Sequence, residues 1–595
     1  MALFSPSESP AIVVKEIDLT GVVPNVQSTT GAIVGNFRWG PVEKATLVDN
    51  EGTLAATFGT PSDSNAVDFL SAAYFLRYSN SLQVVRVVDD ASQDSGGAVN
   101  ARYPFKPLAD APLVKNSEDF DAQAASLDSD KQVFIAKYPG VLGSSLKISF
   151  CPVSGRDSGG TFIETDSAFN DWTYRSSFNG APSSSTFALD RNATNDEIHL
   201  VVIDEDGLIS GTKGSVLETF PYLSLASNAK LDDGTTNYIK DVINNRSEYI
   251  WMVGFGTPGS LFDSAAGSVL DSGDNYWSEN VDAVTTFSMD SGANGSALTV
   301  GDYLTGNDLF EDKDTITVDF LIAPGLNSAQ DQATVVNDLI SVARDRQDCV
   351  VVTSPNRTAV VNNAASNIVS DTISTTDAFT NTSRVVIDNN YLKVYDKYND
   401  KYRFIPAASS TAGLMAATDL EAAPWFSPAG SRRGAYLGIT GLAYTPSKSQ
   451  RDTLYKASVN PIANIPGQGV LLFGDKTGLR RPSAFDRINV RRLFLTVERA
   501  IALAARNVLF EFNDEFTRAE FVNIVEPFLR EIQGRRGITD FRVVCDETNN
   551  TPAVIDRNEF VASIFIKPAR SINYVTLNFV AVRTGVDFEE VVGTV

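Results

Sequence analysis

The chain is poor in the residues that build covalent frameworks and metal centres. Its 595 residues include 3 cysteines and 1 histidine. Cys151, Cys349 and Cys545 are odd in number and far apart, which argues against a disulfide framework and fits a reducing compartment or plain burial. A structural zinc site needs about four Cys/His ligands at close spacing. No such group occurs, so no metal is expected. Positive charge is also scarce: 49 Lys/Arg stand against 73 Asp/Glu, a net of −24. A nucleic-acid binder is expected to be basic, so no nucleic-acid partner is expected. No apolar run approaches the roughly 18 residues of a membrane span, which argues against direct membrane insertion. The first residues, MALFSPSESP, lack a basic region followed by an apolar core and do not read as a secretory leader.

Phosphate and hydrolase signatures are missing too. Gly-Lys never occurs, which removes the phosphate loop, and neither GxSxG nor HExxH is found. Gly254-Phe255-Gly256-Thr257-Pro258-Gly259 matches GxGxxG after a strand-like run, with Asp274 downstream. A dinucleotide site would use those glycines to bring backbone against a pyrophosphate. Pro258 and the weak helical periodicity that follows favour a turn, and no cofactor is expected. His199 lies in the alternating run EIHLVVID and reads as an ordinary strand residue. Asp204-Glu205-Asp206-Gly207 resembles part of a calcium loop without the later ligands, and reads as a β-turn. Catalytic residues are therefore expected to be absent.

The composition that is present, 43% hydrophobic and 21% charged, is globular. At about 100–200 residues per domain, the length implies three or four domains. Charge is uneven. Residues 401–595 carry 24 basic against 20 acidic side chains, while residues 1–400 carry 25 against 53. This asymmetry predicts two faces with two kinds of partner.

Periodicity predicts an α/β fold. A helix is expected over Asn65–Tyr78 and a buried strand over Leu82–Val88. Residues 91–310 are loop-rich, with short strands such as Lys131–Lys137 and His199–Ile203, and read as inserted, mostly β material. The α/β pattern resumes at 314 with a strand, a helix from Ser328 to about Arg346, and a strand at DCVVVTSP. Such a unit implies a right-handed parallel crossover. Ile488–Asn507 is an amphipathic helix. Thr517-Arg518-Ala519-Glu520 reads as a capping box opening a helix that ends near Gly534 and is kinked at Pro527. Strands are expected over Phe560–Lys567 and Ile572–Arg583. The pairs Arg491-Arg492 and Arg535-Arg536 read as a solvated face or as docking points on an acidic partner.

The two ends carry strand-like runs with no local sheet: Ile12, Val14, Ile17 and Leu19 at one end, Val586, Phe588 and Val591 at the other. Unpaired strand backbone must find a sheet edge, and another molecule can supply it.

Particular stretches then resemble a known family. They are SPAIVVKEIDLT, GAIVGNFRWGPVEKATLV and AATFGTP near the N-terminus, KYPGVLGSSLKIS at 137–149, and HLVVIDEDGLISGTKGSVLETFPYLSLASNAK at 199–230. The C-terminal third adds GVLLFGDKTG (469–478), INVRRLFLTVERAIALAARNVLFEFN (488–513) and FVNIVEPFLREIQGRRGI (521–538). The chain resembles the contractile tail sheath proteins of myovirus bacteriophages, a family shared with other contractile injection machines. Residues 150–195 and 265–310 resemble it least.

The resemblance implies a structural subunit of an α/β (α+β) multidomain fold. Subunits would form hexameric rings stacked helically around a tail tube protein, with the baseplate and a tail terminator as further partners. It implies an N-terminal arm (1–20), a middle α/β domain (21–90 with 314–400), inserted outer β-rich domains (91–313) and a C-terminal α/β core (401–583). That core would be completed by the N-terminal segment and face the tube; the last part would be a C-terminal arm (584–595). The arms would add strands to neighbouring subunits. Given such an assembly, the positive balance of the C-terminal region leads to the expectation that Arg535 and Arg536 face an acidic stripe on the tube; the rival reading is that this loop contacts the next sheath subunit. The protein would belong to the virion and assemble in the host cytoplasm. The alternative reading is an acidic, β-rich surface polymer or adhesin.

Overall fold

A computed structural model describes residues 29–91, 96–103, 111–130, 132–153, 167–256, 261–262, 265–274, 276 and 284–573. They divide into two compact units. The larger holds residues up to 424 together with Pro428–Arg491. The smaller holds Trp425–Ser427 and residues from Arg492 onward.

The larger unit is organised by a six-stranded sheet in the order Val385–Ile387, Val350–Thr353, Phe320–Ile322, Gly31–Gly35, Leu82–Arg86, Thr46–Val48. All neighbours are parallel except the edge strand Thr46–Val48. Central strands of such a sheet are covered on both faces and read as continuous apolar runs. Accordingly Ala32, Val34, Val85, Leu321 and Val351 share one core with Val336 and Leu339 of helix Ala329–Arg346. Each buried valine or leucine among them contributes about 1.5–3 kcal/mol. Ser328 caps that helix by accepting from Asp331 N–H at 3.3 Å. Arg346 ends it, donating to the carbonyls of Phe310 and Ile316 at 2.7 and 2.8 Å. The expected α/β pattern is therefore present, with helix Ala66–Phe75 lying inside the predicted segment.

The segment between Leu82–Arg86 and Phe320–Ile322 builds small antiparallel sheets. The largest has the order Thr285–Ser288, Leu146–Pro152, Glu197–Asp204, Ser215–Ser224. Its core is aromatic: the rings of Phe150 and Phe262 stack at 5.0 Å. Ser215–Ser224 lies at the sheet's edge, where Pro221 and two register irregularities blunt it against unwanted pairing. Arg86 links this segment to the parallel sheet. Its buried guanidinium donates to the carbonyls of Phe37 (2.8 Å), Gly40 (2.9 Å) and Pro139 (2.7 Å). Further along, the hairpin Tyr391–Asp396 with Lys401–Pro406 runs across position 401, so the chain has no break there.

In the smaller unit, the amphipathic helix spans Ile488–Ala505, most of it within this unit. The next helix begins earlier than the sequence suggests. It spans Glu515–Gly534, and its cap is Asp514, whose carboxylate accepts from Thr517 N–H at 2.9 Å. Thr517 is thus the third helical residue, a register set by the aspartate that precedes the expected box. Pro527 lies inside the helix, as read. Strand Ser563–Pro568 matches expectation, but its partner is Ile538–Val544. Of the expected strand 572–583, residues 572–573 are not strand and the rest lie outside the described residues.

All three cysteines are buried and none forms a disulfide. Among the described residues, no helix is long and apolar enough to cross a membrane.

Candidate assembly surface

The positions that could have carried chemistry are built as structure. His199 is buried in strand Glu197–Asp204. Its Nδ1 accepts the Tyr222 N–H at 3.0 Å, which leaves Nε2–H to donate to the Gly180 carbonyl at 2.8 Å. The ring stacks on Phe178 at 4.3 Å, and burial lowers its pKa. It is therefore a neutral, fully engaged imidazole. The Asp204 carboxylate collects the N–H groups of Leu208, Ile209 and Ser210 and the hydroxyls of Ser145 and Ser210. Burial works against its ionisation, but these donors outweigh it and hold the pKa below the usual range. No group of three or more metal-ligating side chains occurs among the described residues. Thr257–Gly259 of the GFGTPG run lie outside them.

In a doubly wound sheet, ligands bind beyond the strand ends where the strand order reverses. Here that point lies between Gly31–Gly35 and Phe320–Ile322. Asp68, in the first turn of helix Ala66–Phe75, accepts the Asn36 N–H at 2.8 Å there. Burial pushes its carboxyl up to about 6. The protein's own carboxylate thus takes the place where an anionic ligand would meet a helix N-terminus. Helix Val300–Asp308 closes on the same strand through Gly306, where an added Cβ would come within 2.4 Å of Val34.

The smaller unit supplies surfaces instead. Ile538–Val544 and Ser563–Pro568 form a two-stranded sheet with no third strand among the described residues. Two strands alone are marginal in water. The arm residues Ile12, Val14, Ile17, Leu19, Val586, Phe588 and Val591 lie outside the described residues.

Arg535 and Arg536 follow helix Glu515–Gly534 as an exposed pair, but the two differ. Arg535 is held: its carbonyl accepts the Trp425 indole N–H at 3.1 Å, and its guanidinium lies 5.1 Å from the Trp425 ring and 3.5 Å from Glu531. Arg536 adopts a left-handed φ of 68°. Gly537 permits the tight turn that follows, since a Cβ there would come within 2.6 Å of Ile532 and 3.0 Å of Trp425. Trp425, some 110 positions away, gave no sequence signal for this role. Arg491 and Arg492 are buried, which removes the exposed-face reading for that pair.

Comparison with known proteins decides what these surfaces belong to. The family models for the tail sheath protein Gp18 domain III N-terminal region, the phage tail sheath central domain and the phage tail sheath C-terminal domain match residues 28–87, 296–478 and 480–581. The tail sheath protein of Enterobacteria phage T4 is 33% identical, over 98% of this chain and 99% of that protein. The tail sheath protein of Vibrio phage KVP40 is 32% identical with the same coverage.

The chain belongs to the phage tail sheath family.

A solved sheath tail protein from Listeria innocua shares the fold, with a TM-score of 0.51 at 12% identity over 91% of this chain and 96% of that one. The chain is a structural subunit of a contractile sheath and a virion component. This relationship favours a sheath subunit over the surface polymer or adhesin.

Proposed function

We propose that this sheath subunit assembles as stacked hexameric rings wound helically around a tail tube protein, between a baseplate and a tail terminator. On a baseplate signal the sheath shortens and drives the tube through the host envelope. Its work is mechanical rather than enzymatic, and assembly takes place in the host cytoplasm without nucleic acid as a partner. The observation that carries this reading is the end-to-end relationship to tail sheath proteins, covering 98% of the chain. An interface repeated around and along a tube is heterologous and non-closing, as a helical polymer requires.

In this reading the terminal arms are the ties between subunits. Strand addition gives main-chain hydrogen bonds that survive rotation of the joined bodies, and linkers absorb dihedral change that a packed core resists. The two-stranded sheet of the smaller unit is a suitable acceptor. Deleting residues 1–20 or 585–595 should leave a cooperatively folding monomer that no longer polymerises. Full-length tubes from either deletion would refute the arm assignment.

The C-terminal region faces the tube, and the insertion 91–313 projects into solvent. Arg536 is the better tube contact, because Arg535 also secures Trp425. Exposed charge pairs contribute only about 0–1 kcal/mol each, which suits a contact that must release during contraction yet repeats on every subunit. Arg536→Glu should impair assembly on the tube while sparing tube-free polysheath and the melting temperature. Arg535→Glu should lower the melting temperature as well. Loss of polysheath with Arg536→Glu would assign the loop to the sheath lattice.

A further inference from the structure

The connection between helices Ile488–Ala505 and Glu515–Gly534 reads Leu509-Phe510-Glu511-Phe512-Asn513-Asp514-Glu515-Phe516. Its apolar side chains stand in water: Phe510 is 104% exposed, Phe512 83%, Phe516 78% and Leu509 60%. Three exposed aromatic side chains within seven positions mark an interaction surface rather than ordinary exterior.

The backbone beneath the patch is fixed. Asn513 donates to the Asn550 side chain at 3.1 Å and to the Glu559 carbonyl at 2.8 Å. Arg518 donates to the Asn513 side chain at 3.0 Å. Asp514 is spent on the helix cap. Phe510 is held at φ 71°, a left-handed conformation that aromatic residues avoid. Fixed backbone with projecting aromatic rings is the arrangement of a binding hot spot whose ordering cost is already met.

The loop also has a definite charge. Glu511, Asp514 and Glu515 give it three acids and no base. The complementary surface is present in the same chain. Residues 428–491 carry 10 Lys/Arg against 3 Asp/Glu; Arg491 is buried, Arg487 pairs with Asp475 and Asp486, and Arg480 pairs with Asp377, so the accessible positive charge of the region rests chiefly on Arg432, Lys448, Arg451, Lys456 and Arg481. On that basic region Phe473 is 51% exposed at the end of strand Gly469–Leu472, with the Arg451 guanidinium 5.8 Å from its ring centre. The pairing of Ala435 with Leu471 brings the Arg432–Arg433 segment beside Phe473.

We propose that the Phe510–Phe516 loop of one subunit docks on the basic, Phe473-bearing face of a second copy, a lattice contact separate from the terminal arms. It rests on the chain being a sheath subunit. Aromatic rings supply the buried anchor, and the acids between them select the arginine-lined face.

The test uses the full chain, whose native cysteines are all buried. Chains carrying Phe510→Cys are mixed with chains carrying Phe473→Cys, polymerised and treated with a short bismaleimide. A covalent dimer should form in the mixture and not in either population alone. Separately, the triple variant Phe510→Ser, Phe512→Ser, Phe516→Ser should keep its melting temperature and need about tenfold more protein to form polysheath. Polysheath at the wild-type concentration would overturn the proposal. So would polysheath that forms normally but no longer assembles on the tube, since the loop would then serve the tube. Absence of the mixed dimer in assembled tubes would overturn the Phe473 face. Failure of the wild-type chain to polymerise would instead count against the sheath function itself.

Discussion

Asp388 illustrates how much of this protein's chemistry is stability chemistry. It is fully buried, accepting from the Ser354 hydroxyl at 2.8 Å and the Thr411 hydroxyl at 3.2 Å, with Tyr436 bonded to Thr411 behind it. Burial dominates these hydrogen bonds and pushes the carboxyl from an aspartate's ordinary 3.8 up to about 7. The folded chain thus keeps a proton that the unfolded chain has already released. The associated stabilisation is complete below about pH 4 and fades as pH rises through about 7. Asp388→Asn should flatten the fall in melting temperature between about pH 5 and 8, leaving the share from Asp68, centred near 6. An unchanged slope in the variant, or wild-type stability that rises with pH across this window, would contradict it. Neither aspartate is marked by local sequence. The Arg535–Arg536 turn was readable from Gly534 and the helix before it. Trp425, which holds it, was not, because contacts between distant positions leave no periodicity.

Elements were legible where one face is buried along their whole length. Helix Ala329–Arg346 and strand Leu82–Arg86 lie within the segments that apolar spacing marks. Ile538–Val544 gave no signal because, among the described residues, it pairs on one side only and most of its residues are partly or fully exposed, so ITDFRVV shows no clean alternation. The helix register slipped because Asp514 outcompetes Thr517 for the cap. Close packing between elements is equally silent in sequence. Helix Val300–Asp308 meets strand Gly31–Gly35 through Gly306, where a methyl group would press on Val34 at 2.4 Å and Val87 at 2.9 Å. Gly306→Ala should therefore lower unfolding stability by about 1–3 kcal/mol, the usual cost of overpacking. Gly301 in the same helix has nothing nearer than 3.5 Å to a new Cβ, so Gly301→Ala should cost nothing. Equal urea midpoints for Gly306→Ala and wild type would show that the strand yields.

At the scale of the whole molecule, the fold is held together by pairings between distant segments. Gly31–Gly35 pairs with Phe320–Ile322 across a segment of nearly 290 residues. The sequence places 21–90 and 314–400 in one α/β domain around an insertion at 91–313, but the strand order that joins them in one sheet leaves no local pattern. The basic excess of the C-terminal third lies in residues 428–491 of the larger unit, with 10 Lys/Arg against 3 Asp/Glu, whereas residues 492–595 carry 12 against 15. In the contraction proposed above, the subunit bodies stay rigid while the ties between them rotate. The buried, parallel core and the guanidinium of Arg86 spanning three backbone carbonyls suit such a body. The most direct test is electron microscopy of the purified full-length protein, imaged alone and assembled on tubes before and after contraction. The account predicts hollow helical tubes whose subunits superpose between the two states with little internal change. Monomers or irregular aggregates, or refolding of the helices within residues 488–534 on contraction, would contradict it.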